Sequence, residues 1–239
     1  MIFDSHMHIG DYPLFNTSLD RDGLASSLQE NGIDRCMVFA PDNAEVKRVV
    51  DTIPGAKGLV WANPRVPGNI EESIELLDDP TFLGVKLHPL LDAYLPNDPA
   101  LHPLMEVVAE RRLPVLVHCG HEIFTLPWSI EELAVAFPDA NVIFGHMGLG
   151  NIVYVNACID IACRRENVYL ETSGMPQHRK IAEAVERVGP TRVLYGSDAP
   201  FHHPAVEIHK IRVSGLPEEL LERVLYTNAR DLFRTEDGA

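Results

Sequence analysis

Histidine is the residue type in this sequence best suited to chemistry, because its neutral ring nitrogens bind divalent metals near neutral pH. The chain contains 11 histidines but only 4 cysteines. Several of the histidines occur in short motifs, one of which also contains a lysine, and a further short motif contains an aspartate. The residues concerned are His6, His8, Lys86, His88, His118, His146 and Asp198. Imidazole nitrogens and carboxylate oxygens are ligands that zinc takes, and a catalytic zinc site leaves one position for water.

The spacing within two of these motifs places side chains together. Residues two apart on a β-strand point to the same face, so His6 and His8 are predicted to share a face, together with Asp4. The same rule pairs Lys86 with His88. A single histidine in a strand is more often a hydrogen-bonded structural residue. Five histidines at strand ends are hard to explain by packing, because buried polar groups cost free energy unless they are paired. We therefore predict a metal site.

The elements that must position these residues are short apolar segments that alternate with segments of helical spacing. Eight apolar segments are predicted as buried parallel strands, because each is rich in Val, Ile, Leu or Phe and most end in Gly or Pro. They cover residues 2–9, 33–40, 57–64, 82–89, 113–120, 141–148, 168–174 and 192–200. The candidate residues lie at the carboxyl ends of these strands, where barrel enzymes have their active sites.

Strict alternation of strands and helices implies a parallel sheet. Eight such units over 239 residues fit a closed barrel better than an open doubly wound sheet, and no Gly-x-Gly-x-x-Gly loop follows the first strand. The sequence therefore predicts an α/β fold, a (β/α)₈ TIM barrel that forms a single domain over residues 1–239. Residues 217–233 are predicted to form one or two helices after the last strand.

Composition excludes several classes of partner. Asp and Glu total 35 against 20 Lys and Arg, which gives a net charge of -15 and argues against nucleic-acid binding and a polybasic membrane anchor. No apolar run approaches the roughly 20 residues that span a bilayer, and no signal peptide is evident. The cysteines lack the spacing of a disulfide framework. We expect a cytoplasmic protein with a small-molecule substrate, and a homodimer stays open.

The combined motifs resemble those of the amidohydrolase superfamily of metal-dependent TIM-barrel hydrolases. In that family a His-x-His pair ends the first strand, single histidines end the fifth and sixth strands, and an aspartate ends the eighth. The corresponding segments here are DSHMH, VHCG, GHMG and GSDAP. The phrases GVKLHP, GHMG, GSDAP and NARDLF look most like the amidohydrolase-2 branch, which contains aminocarboxymuconate semialdehyde decarboxylase and related enzymes. The resemblance runs from Phe3 to Phe233.

The resemblance implies a site of one or two divalent metal ions, with one favoured. The ion would most readily be zinc, with manganese as the alternative, and its ligands would be His6, His8, His118 and Asp198. His146 would bind a second metal or hold the water or a substrate oxygen. Lys86 would either be carboxylated and bridge two metals, or be an ammonium that binds a substrate carboxylate.

Three residues are candidates for catalysis and two for substrate binding. Asp198 would accept a proton from a metal-activated water and pass it to the leaving group. His146 would orient the nucleophile or stabilise an oxyanion. Lys86 would bridge two metals or bind a substrate carboxylate. Arg65 and His88 follow the third and fourth strands and could bind a substrate carboxylate or line the pocket. A loop arginine that faces solvent is an equally good interpretation of Arg65.

Three functions follow from these residues. The first is a metal-dependent hydrolase of a small cyclic amide, lactone or ester, acting through a metal-activated water. The alternative is a metal-dependent nonoxidative decarboxylase of a small unsaturated or aromatic carboxylic acid, in which the metal activates the substrate's own oxygen. A non-catalytic metal-binding barrel is the third. A metal-dependent phosphodiesterase is disfavoured, because similar barrels place a glutamate where Lys86 and His88 stand.

Overall fold

Eight parallel strands form the barrel that the sequence predicts. The computed structural model describes residues 1–235, so the last four residues of the predicted domain lie outside the described part. A short hairpin, β2 (Gly10–Tyr12) and β3 (Thr17–Leu19), follows the first strand. The barrel strands are β1 (Phe3–His8), β4 (Arg35–Phe39), β5 (Ala56–Trp61), β6 (Phe82–Leu87), β7 (Pro114–His118), β8 (Asn141–Gly145), β9 (Val168–Glu171) and β10 (Val193–Leu194). Each pairs with the next in that order.

The barrel closes between β1 and the segment that follows β10. The amide of His8 donates to the carbonyl of Ala199 at 2.7 Å, and the amide of Asp198 donates to that of His6 at 2.7 Å. Regular strand geometry stops at Leu194, but the chain continues alongside β1 to Ala199. An open doubly wound sheet has no such contact between its edge strands, so the predicted closed barrel is confirmed.

Helices follow every barrel strand. They are α1 (Arg21–Asn31), α2 (Asn43–Val50), α3 (Asn69–Leu76), α4 (Pro89–Asp92), α5 (His102–Arg111), α6 (Pro127–Ala136), α7 (Ile152–Arg164), α8 (His178–Val188), α9 (Pro204–Arg212), α10 (Glu218–Glu222) and α11 (Asn228–Phe233). A π-helical turn, Arg223–Thr227, joins the last two, so the predicted helical tail is present. Within residues 1–235, none of the helices combines the length and hydropathy needed to cross a bilayer.

Two apolar layers surround the strands. The larger lies between the strands and the outer helices, and the smaller fills the barrel interior. Tyr226 and Phe233 from the helical tail pack against Phe3, with ring centroids 6.4 and 5.9 Å away. The amino-terminal end of the barrel is therefore closed by aromatic packing, and polar side chains collect at the opposite end.

A register shift between Asp4 and Met7 changes which side chains β1 turns inward. Phe3 belongs to the interior layer. Asp4 lies opposite Cys36, which belongs to the outer layer, and accepts a hydrogen bond from the hydroxyl of Tyr195 at 3.4 Å. The prediction that Asp4 shares a face with the two histidines of β1 is therefore wrong, because strict alternation does not continue through a bulge.

Candidate metal centre

The closure of the barrel brings two histidines of β1 against an aspartate. The Nε2 atoms of His6 and His8 both lie 3.2 Å from Oδ1 of Asp198, and all three residues are buried. Metal–ligand bonds of about 2.0–2.2 Å place neighbouring ligand atoms roughly 2.8–3.6 Å apart, the shorter distances at higher coordination number. These three atoms therefore have the spacing and the chemistry of ligands around one divalent cation.

Gly196 leaves room for this arrangement inside the barrel. A Cβ atom on Gly196 would lie 2.7 Å from the Cβ of His6 and 2.5 Å from Oε1 of Glu171. The side chains of His6 and Glu171 thus occupy space that any larger residue at position 196 would take.

Glu171, at the end of β9, is a site residue that the sequence analysis missed. Its Oε2 atom lies 2.7 Å from Nδ1 of His6 and accepts hydrogen bonds from the amide of His146 at 3.1 Å and the hydroxyl of Ser173 at 2.9 Å. Burial raises the pKa of Glu171, but His6 and the other donors lower it by more, so that the pKa is about 2. The ionised carboxylate holds a proton on Nδ1 of His6 and turns Nε2 towards Asp198.

A signal for Glu171 was present in the sequence. The segment VYLETSG places a glutamate at the end of the seventh apolar strand, the position at which other strands carry the candidate histidines. A carboxylate in a buried strand needs a partner, and that requirement would have placed it in the site.

The charges around His6 favour a cation. Burial and Lys86 lower the pKa of His6, but the carboxylates of Glu171 and Asp198 raise it more, so that it lies above 6.5. Burial chiefly lowers the pKa of His8, to about 4, and that of His146, to about 3. The two carboxylates thus favour positive charge beside His6, whether a proton or a metal ion provides it, while neighbouring imidazoles stay neutral.

His118 contacts His146, whose ring centre lies 4.8 Å from that of His6. Nδ1 of His118 lies 3.0 Å from Nε2 of His146. His146 Nδ1 lies 3.0 Å from the hydroxyl and 3.3 Å from the carbonyl oxygen of Ser173. His6 joins two sets of ligand atoms that lie within 4.8 Å of one another, one with His8 and Asp198 and one with His146 and Glu171. His118 is in neither set and reaches the cluster through His146.

Lys86 is a buried cation beside this cluster. Its Nζ atom lies 3.4 Å from Nε2 of His6 and 4.6 Å from the centre of the Phe39 ring. Among residues 1–235, no carboxylate oxygen lies within 4.0 Å of that atom. Burial lowers the pKa of Lys86 to about 8. An ammonium buried without an ion pair is costly, and a carboxylate from a substrate would relieve that cost.

The two predicted substrate-binding residues lie in different places. His88 is buried, accepts a hydrogen bond from the amide of Leu91 at 3.2 Å, and lies between Trp61 and His118, with ring centres 5.5 and 4.1 Å away. Arg65 is exposed, and its Nε donates to the carbonyl of Ala93 at 3.2 Å. His88 is thus part of the site wall and Arg65 lies outside the cluster. Their roles towards a substrate stay predictions.

Aromatic rings line the approach to His8. Phe39, Phe201 and Tyr12 have ring centres 4.5, 5.0 and 6.0 Å from its imidazole, and Tyr12 packs against Phe201 at 4.7 Å. Tyr12 belongs to the β2–β3 hairpin, which the sequence did not predict. Such walls suit a planar ring, because aromatic pairs pack edge to face or offset at these distances.

Comparison with known proteins decides the family. Residues 12–235 match the family model described as amidohydrolase. The chain belongs to the amidohydrolase family. This match confirms the resemblance found in the sequence motifs, and it covers both the barrel strands after β1 and the helical tail.

The curated relatives that this amidohydrolase matches include a decarboxylase. A γ-resorcylate decarboxylase from Rhizobium sp. (strain MTP-10005) is 29% identical over 119 residues, which are 43% of this chain and 36% of the relative. The match therefore spans only about a third of the length of that curated relative.

Solved structures of two kinds of enzyme share the fold of this chain. A dihydroxybenzoic acid decarboxylase from Polaromonas sp. JS666, with bound manganese and the inhibitor 2-nitroresorcinol, has a TM-score of 0.74 at 16% identity. A putative 2-pyrone-4,6-dicarboxylic acid hydrolase from Pseudomonas putida has a TM-score of 0.76 at 19% identity. Each comparison covers 99% of this chain and 98% of the other. The family match and the curated relative support an enzyme, a hydrolase or a lyase, over the non-catalytic barrel.

Proposed function

We propose that this amidohydrolase is a metal-dependent nonoxidative decarboxylase of a small aromatic or unsaturated carboxylic acid. The observation that carries the proposal is the position of Lys86, whose buried ammonium lies 3.4 Å from Nε2 of His6. A substrate carboxylate bound there would lie against the metal ligands. It would therefore be the reacting group and not a group that only anchors the substrate away from the reaction. This position puts the decarboxylase ahead of the hydrolase that the sequence analysis placed first.

One divalent ion would be held by the four residues that the family resemblance implies. They are His6, His8, His118 and Asp198. When bound, the ion supplies positive charge that polarises a substrate oxygen. Zinc and manganese both suit nitrogen and carboxylate ligands, and manganese is bound in the Polaromonas relative. The single ion, the homodimer and the cytoplasmic location stay predictions.

The chain's own residues would orient the acid and move one proton. Lys86 would bind the carboxylate through a charge-assisted hydrogen bond, and the aromatic wall around His8 would hold the ring. Burial raises the pKa of Asp198, but His146 and His6 lower it well below 3.8, so its carboxylate is ionised. It would accept a proton from a substrate hydroxyl. As the bond to the carboxylate breaks, the electron pair stays on carbon, and Asp198 returns the proton to that carbon while carbon dioxide leaves.

Hydrolysis of a lactone or ester is the second candidate. The ionised carboxylate of Asp198 could equally accept a proton from an attacking water. The putative pyrone hydrolase from Pseudomonas putida shares the fold, and the dicarboxylic acid in its name carries carboxylates that Lys86 could bind.

An assay of carbon dioxide release separates the two reactions. Enzyme loaded with Mn²⁺ or Zn²⁺ is incubated with 2,6-dihydroxybenzoate, 5-carboxyvanillate and a set of unsaturated acids, and opening of 2-pyrone-4,6-dicarboxylate is followed in parallel. Carbon dioxide release from one of the acids supports the proposal. Opening of the pyrone without carbon dioxide release from any acid overturns it in favour of the hydrolase.

A further inference from the structure

His121 lies outside the implied ligand set but touches one of its members. Its Nδ1 atom lies 2.8 Å from Nε2 of His118. The two rings are inclined by only 10°, with centres 5.0 Å apart, which is the geometry of a hydrogen bond in the ring plane. The other nitrogen of His118, Nδ1, faces His146 inside the barrel. His121 therefore contacts His118 from the side away from the site.

The backbone around His121 is held by a closed set of hydrogen bonds. The hydroxyl of Thr125, which is buried, accepts from the amide of His121 at 2.9 Å and donates to its carbonyl at 2.6 Å. The amide of Gly120 donates to the carbonyl of Thr125 at 2.9 Å. This loop follows β7 directly, so the backbone of His121 is fixed relative to the strand that carries His118.

The hydrogen bonds outside the site determine which nitrogens face inward as lone pairs. A neutral imidazole carries one proton, and a carbonyl oxygen only accepts. The carbonyl of Ser173 therefore favours the proton of His146 on Nδ1, which leaves Nε2 with a lone pair. If His118 donates through Nε2 to His121, its Nδ1 also presents a lone pair. Two lone pairs 3.0 Å apart repel each other, and a cation beside them removes that repulsion.

We propose that His121 is a positioning residue for His118: it accepts the Nε2 proton and directs Nδ1 of His118 at the metal ion. This inference rests on the metal site of the proposed function. The opposite tautomer, in which His121 donates, puts a proton on Nδ1 of His118 and prevents that nitrogen from binding a cation. Outer partners of metal-binding histidines act in this way by fixing the tautomer and orientation of the ring.

Two substitutions at position 121 separate hydrogen bonding from packing. His121→Phe keeps a ring but removes the acceptor, and His121→Asn places an amide oxygen near the position of Nδ1. His209→Phe, at an exposed histidine of α9, is the matched control. The affinity for Mn²⁺ and for Zn²⁺ is measured by competition with a chromophoric chelator, and unfolding temperature checks the fold. A ¹⁵N spectrum of the zinc-loaded wild-type enzyme reports the tautomer of His118.

We expect His121→Phe to weaken metal binding by about 10- to 100-fold, and His121→Asn and the control to stay within a few fold of the wild type. The spectrum should show the proton of His118 on Nε2. Wild-type affinity in His121→Phe, equal losses in both variants, or a proton on Nδ1 would overturn the role of His121 and leave the proposed function standing. A wild-type enzyme that binds neither ion would overturn both.

Discussion

Each inner nitrogen of the site is set by a partner on the far side of its ring. Glu171 lies 2.7 Å from Nδ1 of His6 and Ser173 lies 3.0 Å from Nδ1 of His146. Neither partner has to touch a metal ion to matter, because it decides whether the inward nitrogen is a lone pair or a proton. Sequence motifs identify the inward residues more readily than these partners, because a tautomer depends on contacts between distant strands.

Replacing Glu171, which is fully buried, tests whether such a partner fixes the tautomer of a site histidine. Glu171→Gln keeps the shape but removes the charge that accepts the proton of His6, so we expect metal affinity to fall by about 10- to 100-fold. Competition with a chelator measures the affinity, and Glu186→Gln on the exposed face of α8 is the control. Unchanged affinity in Glu171→Gln would mean that its carboxylate does not orient His6.

Lys86 should show opposite effects on activity and stability. In metal-loaded enzyme, where the ion balances the two carboxylates, Lys86→Met removes a buried ammonium that has no ion pair within 4.0 Å among residues 1–235. We therefore expect a higher free energy of unfolding, measured by denaturant titration. The same change removes the partner that we propose for the substrate carboxylate. Losing one partner of a buried charge pair costs about 2–5 kcal/mol, so kcat/KM should fall by roughly thirtyfold or more. Wild-type kcat/KM in a metal-loaded variant would exclude Lys86 from substrate binding.

At the scale of elements, hydrophobic periodicity predicted all eight strands, the helices between them and the helical tail. Periodicity could not predict the bulge between Asp4 and Met7, because a register shift depends on the neighbouring strand and leaves no pattern within one segment. The hairpin of β2 and β3 was missed for a related reason: its strands have three residues each, too few for alternation to show. Both features affect the site, since one turns Asp4 away and the other brings Tyr12 to His8.

The helical tail closes the end of the barrel away from the site, so its packing should affect stability alone. Phe233 is buried and packs against Phe3. Phe233→Ala should lower the free energy of unfolding by about 3–5 kcal/mol, while kcat/KM below the melting temperature stays at the wild-type value. Denaturant titration and steady-state kinetics on the same preparation measure the two quantities. A large loss of kcat/KM in folded enzyme would show that the two ends are coupled.

The whole molecule concentrates its buried charge at one end of a single barrel. Asp198, Glu171 and Lys86 are buried together there, within a chain of net charge -15. A divalent cation would balance two carboxylates that burial otherwise destabilises. The fold and its cofactor are therefore linked, since an ion that binds only the folded state stabilises that state by mass action.

Metal removal should consequently lower the melting temperature. An ion at 100 times its dissociation constant adds about 2.7 kcal/mol to the free energy of unfolding, which corresponds to roughly 5–10 °C for a chain of this size. Scanning calorimetry with added Mn²⁺ and with a chelator measures the difference, and Asp198→Asn should lose most of it. A melting temperature that changes with neither added metal nor chelator would argue against a metal site built from these residues.

The most direct test of the account is carbon dioxide release from a responsive acid, measured as metal-depleted enzyme is titrated with Mn²⁺ or Zn²⁺. The account predicts no release without metal, a rise with added ion, and a plateau at one equivalent per chain. Release that is independent of metal would contradict it. So would a fully loaded enzyme that releases carbon dioxide from none of the acids.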